Sequence, residues 1–222
     1  MIRHRLKRPP IILLALLAGA LAARAGHMHQ PAAASPGHAA PPPLQKLFGG
    51  PFTLTDQHGK TRSDKEFRGR FMLIFFGYTH CPLICPTSLA TISAALEKLP
   101  PREAERIVPV FITVDPERDT PAVLKNYARA FHPRLVALTG TPRQIARAAR
   151  AFRVHRRKIL PQQHEDGHDY HADHGSLTYL MGPDGRFRTL FPYGISVDTL
   201  AQRLHTHVAG ATAPPLSATG NR

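Results

Sequence analysis

The sequence predicts an α/β fold, a mixed β-sheet flanked by helices and entered through an N-terminal β-hairpin. Three observations carry this. Two apolar runs, residues 71–77 (Phe-Met-Leu-Ile-Phe-Phe-Gly) and 107–114, have the length and composition of strands buried on both faces. Segments with helical spacing of apolar residues follow them, and strands that alternate with helices build α/β sheets. A late pair of apolar stretches, residues 176–181 and 187–191, is joined by Pro183-Asp184-Gly185 and reads as a hairpin with antiparallel edges.

Taken in chain order, Phe52-Thr53-Leu54-Thr55 alternates and then turns at Asp56-Gln57-His58-Gly59, as an edge hairpin does. After the first buried strand, residues 86–99 place Leu89, Ile92, Leu96 and Leu99 on one helical face. The second buried strand precedes a helix over residues 121–131, with Pro121 at its start, where its missing N–H is not needed. A short strand at 136–138 and a basic amphipathic helix at 142–152 follow. The late hairpin comes next, and a helix at 196–207, capped by Ser196, closes the domain. A β-α-β-α core ending in a hairpin and a helix is what a thioredoxin-like fold requires.

The ends of the chain have a different character. Residues 1–8 are basic, residues 11–23 are continuously apolar, and Ala23-Arg24-Ala25 provides small residues for cleavage. Together these read as a secretory signal over residues 1–25, cut before Gly26; the alternative is an uncleaved membrane anchor. Both readings place the domain in the periplasm or on the outer face of the cytoplasmic membrane. Residues 26–44 are a Pro/Ala-rich linker, residues 45–208 form one domain, and residues 209–222 are a tail.

The formal charge is +14, and it falls to +9 without Arg3, Arg5, Lys7, Arg8 and Arg24. The arginines are dispersed, and an exported domain rarely meets nucleic acid, so the basic balance points to an anionic membrane surface or an acidic partner patch. No nucleic-acid partner is expected, and the domain is expected to be a monomer.

The chemistry concentrates in Gly77-Tyr78-Thr79-His80-Cys81-Pro82-Leu83-Ile84-Cys85-Pro86, between a buried strand and a helix. Ligands of open α/β sheets sit outside the carboxyl ends of strands. Cys81 and Cys85 are the only cysteines. An oxidising compartment permits a redox-active disulfide between them, but so small a loop gives little stability, which favours a chemical role. Cys85 is expected at the helix N-cap, where the helix dipole lowers a thiol pKa.

Three intervening residues leave room for both sulfurs to hold one metal ion. Two thiolates fall short of a structural zinc site, whereas soft thiolates with an imidazole suit copper. His174 is the imidazole best placed, because the segment entering the late strand of a thioredoxin fold faces the cysteine loop. His164, His168, His171 and His27-Met28-His29 are expected to add only weak secondary sites, and His80 to point away from Cys81. Asp115 is either a turn residue before Pro116 or a group that orients a ligand or docks a partner.

Residues 76–87 resemble the copper loop of Sco/SenC proteins. Phe111-Ile112-Thr113-Val114-Asp115-Pro116-Glu117-Arg118-Asp119-Thr120-Pro121 is similar to the family's second signature. Asp173-His174, ahead of Tyr179-Leu180 and Gly182-Pro183-Asp184-Gly185, is similar to its third. The resemblance covers about residues 52–204 in consistent order. It implies that Cys81, Cys85 and His174 bind copper, Cu(I) or Cu(II). It further implies a role in building the dinuclear copper centre of cytochrome c oxidase, by metal delivery, thiol reduction or both. The partners it implies are the copper-receiving oxidase subunit and another periplasmic copper carrier.

The chain departs from the family at Leu83, where an acidic residue is common, and at Gly175, where Ser or Thr is common. A copper chaperone is favoured over an enzyme. A thiol–disulfide oxidoreductase is the alternative, although residues 170–176 lack the Pro that such reductants place against their disulfide. A peroxidase of the same fold would place its cysteines differently.

Overall fold

The computed structural model describes residues 47–159, 171–174 and 176–211. The expected signal, the linker, most of the tail, His164, His168 and His27-Met28-His29 lie outside the described residues.

Among the described residues, nine strands and five α-helices follow in the order β1 (Thr53–Asp56), β2 (Thr61–Ser63), β3 (Phe71–Gly77), α1 (Ile84–Glu97), α2 (Pro101–Ala104), β4 (Ile107–Thr113), α3 (Pro121–Ala128), β5 (Val136–Thr139), α4 (Pro142–Ala151), β6 (Arg156–Ile159), β7 (His171–His174), β8 (Thr178–Met181), β9 (Phe187–Phe191) and α5 (Val197–Ala209), with a single 3-10 turn at Asp64–Phe67 after β2. Seven strands form one sheet in the order β2-β1-β5-β4-β3-β8-β9, and β6 and β7 form a separate pair. The central β5, β4 and β3 are parallel, while both flanks are antiparallel. This is the expected thioredoxin-like mixed sheet, with its N-terminal hairpin at one edge.

Every residue of β3 and β4 is buried, as their unbroken apolar sequences require of strands covered on both faces. Alternation sends neighbouring side chains to opposite faces. Phe75 meets Phe111, which packs against Tyr127 of α3. Phe76 instead meets Phe152, just past α4, and Tyr179 of β8. Each fully buried Phe contributes about 1.5–3 kcal/mol.

The register of β3 on β4 is what positions the site. Phe71 pairs with Ile107 and Gly77 with Thr113, so both strands end at one level. The loops that follow, 78–83 and 114–120, therefore leave the sheet side by side. Val114 N–H donates to Gly77 O across this gap at 2.8 Å.

The structure differs from expectation at several ends. The first helix starts at Ile84, two residues before Pro86, and so includes Cys85. α3 stops at Ala128, before Phe131. The short helix α2 and the β6–β7 pair were not expected; Arg-Arg-Lys-Ile and His-Ala-Asp-His carry no apolar alternation to reveal a strand.

Candidate metal centre

Cys81 and Cys85 sit where the sequence places them, at the carboxyl end of β3. The Cys81 N–H closes a turn on Tyr78 O at 3.3 Å. Leu83 occupies the N-cap of α1 and offers no side-chain cap. The first-turn N–H of Cys85 donates instead to Cys81 Sγ at 3.4 Å, so a sulfur takes the role that Ser or Asp usually fills. One hydrogen bond thus holds Cys81 against the backbone of Cys85.

The two cysteines differ in surroundings. Cys81 is half-buried, while Cys85 is 0% exposed. A Cβ at Gly77 would lie 2.8 Å from Cys85 Sγ and 2.8 Å from the Phe111 ring edge, so the missing side chain of Gly77 makes room for the sulfur. Burial pushes the Cys85 thiol well up, against a smaller downward pull from a hydrogen bond with the Tyr78 backbone. This corrects the expectation of a dipole-lowered Cys85 thiol. Cys85 is inside the first turn and turned into the core, so loss of water outweighs the helix dipole. In this structure Cys81 and Cys85 are two free thiols, with no disulfide formed between them.

Asp119 anchors the loop. It is 0% exposed. Its Oδ1 accepts from Thr79 Oγ1 at 2.6 Å, and its Oδ2 from Thr79 N at 3.1 Å and Thr113 Oγ1 at 2.5 Å. Burial raises its carboxyl above the ordinary range, the Thr113 and Thr79 hydrogen bonds pull it down, and nearby Asp115 adds to the rise. One carboxylate therefore ties the segment before Cys81 to the end of β4.

Asp115 is buried beside it. Its N–H donates to Thr113 Oγ1 at 2.9 Å, its carboxylate pairs with Arg118 Nε, and its carbonyl accepts from Asp119 N at 3.0 Å. The Arg118 guanidinium lies 5.9 Å from the centre of the buried Tyr78 ring. Asp115 thus shapes the turn, which is the first of the two sequence readings, and its partner Arg118 lies against Tyr78 of the cysteine loop. Residue pattern alone assigns no role to Asp119, although it stands in the same signature. Its position after a buried strand and directly before the Thr120 cap was the available signal.

The hydroxyl of Tyr127 is buried without a hydrogen-bond partner among the described residues. Its ring packs on Phe111 and Phe131, at centroid distances of 5.7 and 5.1 Å. Burial, then the neighbouring Cys85, Cys81 and Asp119, raise its phenol. His80 is exposed, with Nδ1 3.1 Å from Thr79 Oγ1.

His174 is the last residue of β7, opposite Arg156. β8 runs antiparallel to β3 with Thr178 opposite Phe75, so the chain upstream of Thr178 leads toward the carboxyl end of β3. Four residues reach at most about 14 Å, which bounds how far His174 lies from Thr178. His171 begins β7, opposite Ile159. Among the described residues no three His, Cys, Asp or Glu side chains form a metal-holding group. The fit to a soft metal rests on the paired sulfurs, one accessible and one enclosed, which is the donor chemistry that copper favours.

A family model, SCO1/SenC, matches residues 40–209. The human mitochondrial SCO1 homologue is 38% identical over 163 residues, covering 73% of this chain and 53% of that protein. The chain spans about half the length of the curated SCO1 relatives it matches. Bradyrhizobium japonicum ScoI, solved with copper bound, superimposes with a TM-score of 0.65 at 45% identity, over 72% of this chain and 98% of that one. BsSco, described with a disulfide switch as a member of the Sco family of cytochrome c oxidase assembly proteins, gives a TM-score of 0.57 at 27% identity, over 77% and 98%. With the fold, the cysteine loop and these matches together, the chain belongs to the SCO1/SenC family.

Proposed function

We propose that this chain is an exported copper chaperone. Cys81, Cys85 and His174 hold the ion, and the cargo goes to the dinuclear copper centre of cytochrome c oxidase. The observation that carries the reading is the asymmetric thiol pair, in which Cys85 is enclosed by Gly77 and Phe111 while Cys81 is half-open and pinned to the Cys85 amide. The copper-bound relative and the oxidase-assembly relative support it.

The chain's residues divide the work. Metal binding requires both sulfurs as thiolates, so the ion must displace the proton that burial holds on Cys85. Cys81 offers the accessible side from which copper enters and leaves. Beside it the exposed Leu83 (63%) and Ile84 present an apolar rim to whatever docks there. Copper supplies only its preference for sulfur and imidazole; the protein supplies the enclosure and the exit.

A dithiol reductant of the apo copper site is the second reading. The two adjacent thiols favour it, and Cys81 would be the attacking group because it is accessible. His174→Ala separates the two. Thiol–disulfide exchange needs thiolate character and access, not an imidazole. The variant is expected to lose stable Cu(II) binding and weaken for Cu(I), while Cys81 and Cys85 still form and exchange a disulfide. Failed oxidase assembly in this variant supports the chaperone. Normal assembly with copper binding gone makes the reductant the function.

A further inference from the structure

From Asp119 to Glu165 the chain contains no acidic residue and ten Lys or Arg. The centre of this stretch is α4, whose Ile145, Ala148 and Ala149 face the core. Its outer face carries Arg143, Arg147 and Arg150, all exposed, at a spacing that aligns them along one side of the helix. None of the three has an acidic partner among the described residues. They span about 10 Å of helix, and exposed Arg153 continues the row.

The chain also enters the fold at this place. Gly49 N donates to Ala151 O at 2.9 Å, and Arg153 Nε donates to Leu47 O at 2.8 Å. The 46 residues before this point include the apolar run 11–23 with its basic flanks. Where residues 1–25 are retained as an anchor, the same short stretch of sequence that leads to α4 also leads to the bilayer.

We propose that the arginine face of α4 is a docking surface for an anionic phospholipid bilayer. The ligand chemistry is lipid phosphate, read as a negative plane and not as single headgroups. A convex helix with three exposed guanidinium side chains, of which only Arg147 also borders a hollow shared with Asp64 and Lys65, suits a delocalised charge. A folded acidic partner would call for a central aromatic or aliphatic anchor. Among the described residues the exposed large hydrophobics are Leu83, Ile84 and Tyr193, none of them on α4. A single-stranded nucleic acid would call for aromatic platforms, which α4 also lacks. Basic side chains next to an anionic leaflet each add attraction that fades within a Debye length. The inference stands apart from the copper reading, because no residue of the cysteine loop takes part.

The test is flotation of the full chain with neutral phosphatidylcholine vesicles and with vesicles containing phosphatidylglycerol. The apolar N-terminal run contributes to both, and its basic flanks favour the anionic vesicles equally in wild type and variants, so the comparison among variants reports α4. The expected result is stronger partitioning onto the anionic vesicles, reduced at least about tenfold by the joint substitution R143Q/R147Q/R150Q and restored by R143K/R147K/R150K. A control with the same charge loss elsewhere, K60Q/R70Q/R102Q, is expected to lose less than half that effect on a logarithmic scale. Equal anionic binding by wild type and the Arg-to-Gln variant overturns the proposal. So does an equal loss in the control, which would mean that net charge alone is read. Binding to soluble polyglutamate or to single-stranded DNA that depends on these arginines, without vesicle binding, assigns the face to another partner and also overturns it.

Discussion

Cys81→Ser is expected to abolish copper binding while leaving the fold intact. The chain has no thiol other than Cys81 and Cys85, so no substitute sulfur exists. A hydroxyl at position 81 is a hard, protonated group at neutral pH and does not replace a thiolate toward copper. It does replace the sulfur as a helix cap. Ser is among the preferred N-terminal capping residues, and the Cys85 N–H that now donates to Cys81 Sγ would donate to the Ser hydroxyl. Unfolding free energy should therefore stay within about 1 kcal/mol of wild type. Cys85→Ser should lose copper as well, but at a cost to the fold. Its hydroxyl would sit in the apolar pocket closed by Gly77 and Phe111, and burying a hydroxyl in such surroundings costs about 1–3 kcal/mol, less what the Tyr78 backbone contact returns. Copper stoichiometry by equilibrium dialysis and denaturant unfolding of both variants check the pair. Undiminished copper uptake by Cys81→Ser would move the site elsewhere.

Asp119→Ala should have the largest effect of any residue outside the metal ligands. It leaves the Thr113 hydroxyl and both donors of Thr79 without their acceptor, with Thr113 fully buried and Thr79 partly so. Breaking such a network costs about 3 kcal/mol or more. The consequence for metal follows from what the network holds: Thr79 lies two residues before Cys81, so its release lets that sulfur leave the Cys85 amide. Groups that orient metal ligands are typically worth 10–100-fold in affinity, and a loss in that range is expected. Asp119→Asn keeps the shape and one acceptor oxygen, so it should retain part of both. If Asp119→Ala unfolds at the wild-type denaturant midpoint, the anchoring role is wrong. If it unfolds early but binds copper with wild-type affinity in mild conditions, the network serves the fold alone.

Much of this was legible because it follows from local pattern. The runs 71–77 and 107–114 could hardly be anything but buried strands, and the Gly77–Pro86 segment had to fall at a strand end. Residue type marked the two thiols for metal. What pattern could not give was orientation. Whether Cys85 faces water or core depends on where α1 starts, and the capping sulfur of Cys81 starts it at Ile84, turning Cys85 inward. The choice between Asp115 and Asp119 depends on the register of β4 against β3, which brings Thr113 and Thr79 to one carboxylate. Both aspartates look alike in a polar run. The strands β6 and β7 exist only through each other, since neither has an apolar face to announce it.

Copper uptake by the cysteine pair underlies the chaperone reading. The most direct measurement is an anaerobic titration of the reduced chain with copper at several pH values, following sulfur-to-copper charge-transfer absorption. The expected result is one tightly bound equivalent per chain with a thiolate signature. Affinity should tighten by about tenfold per pH unit for each proton displaced, because the ion must remove the proton that burial holds on Cys85. Copper uptake that shows no sulfur signature and proceeds equally after both cysteines are blocked would contradict it.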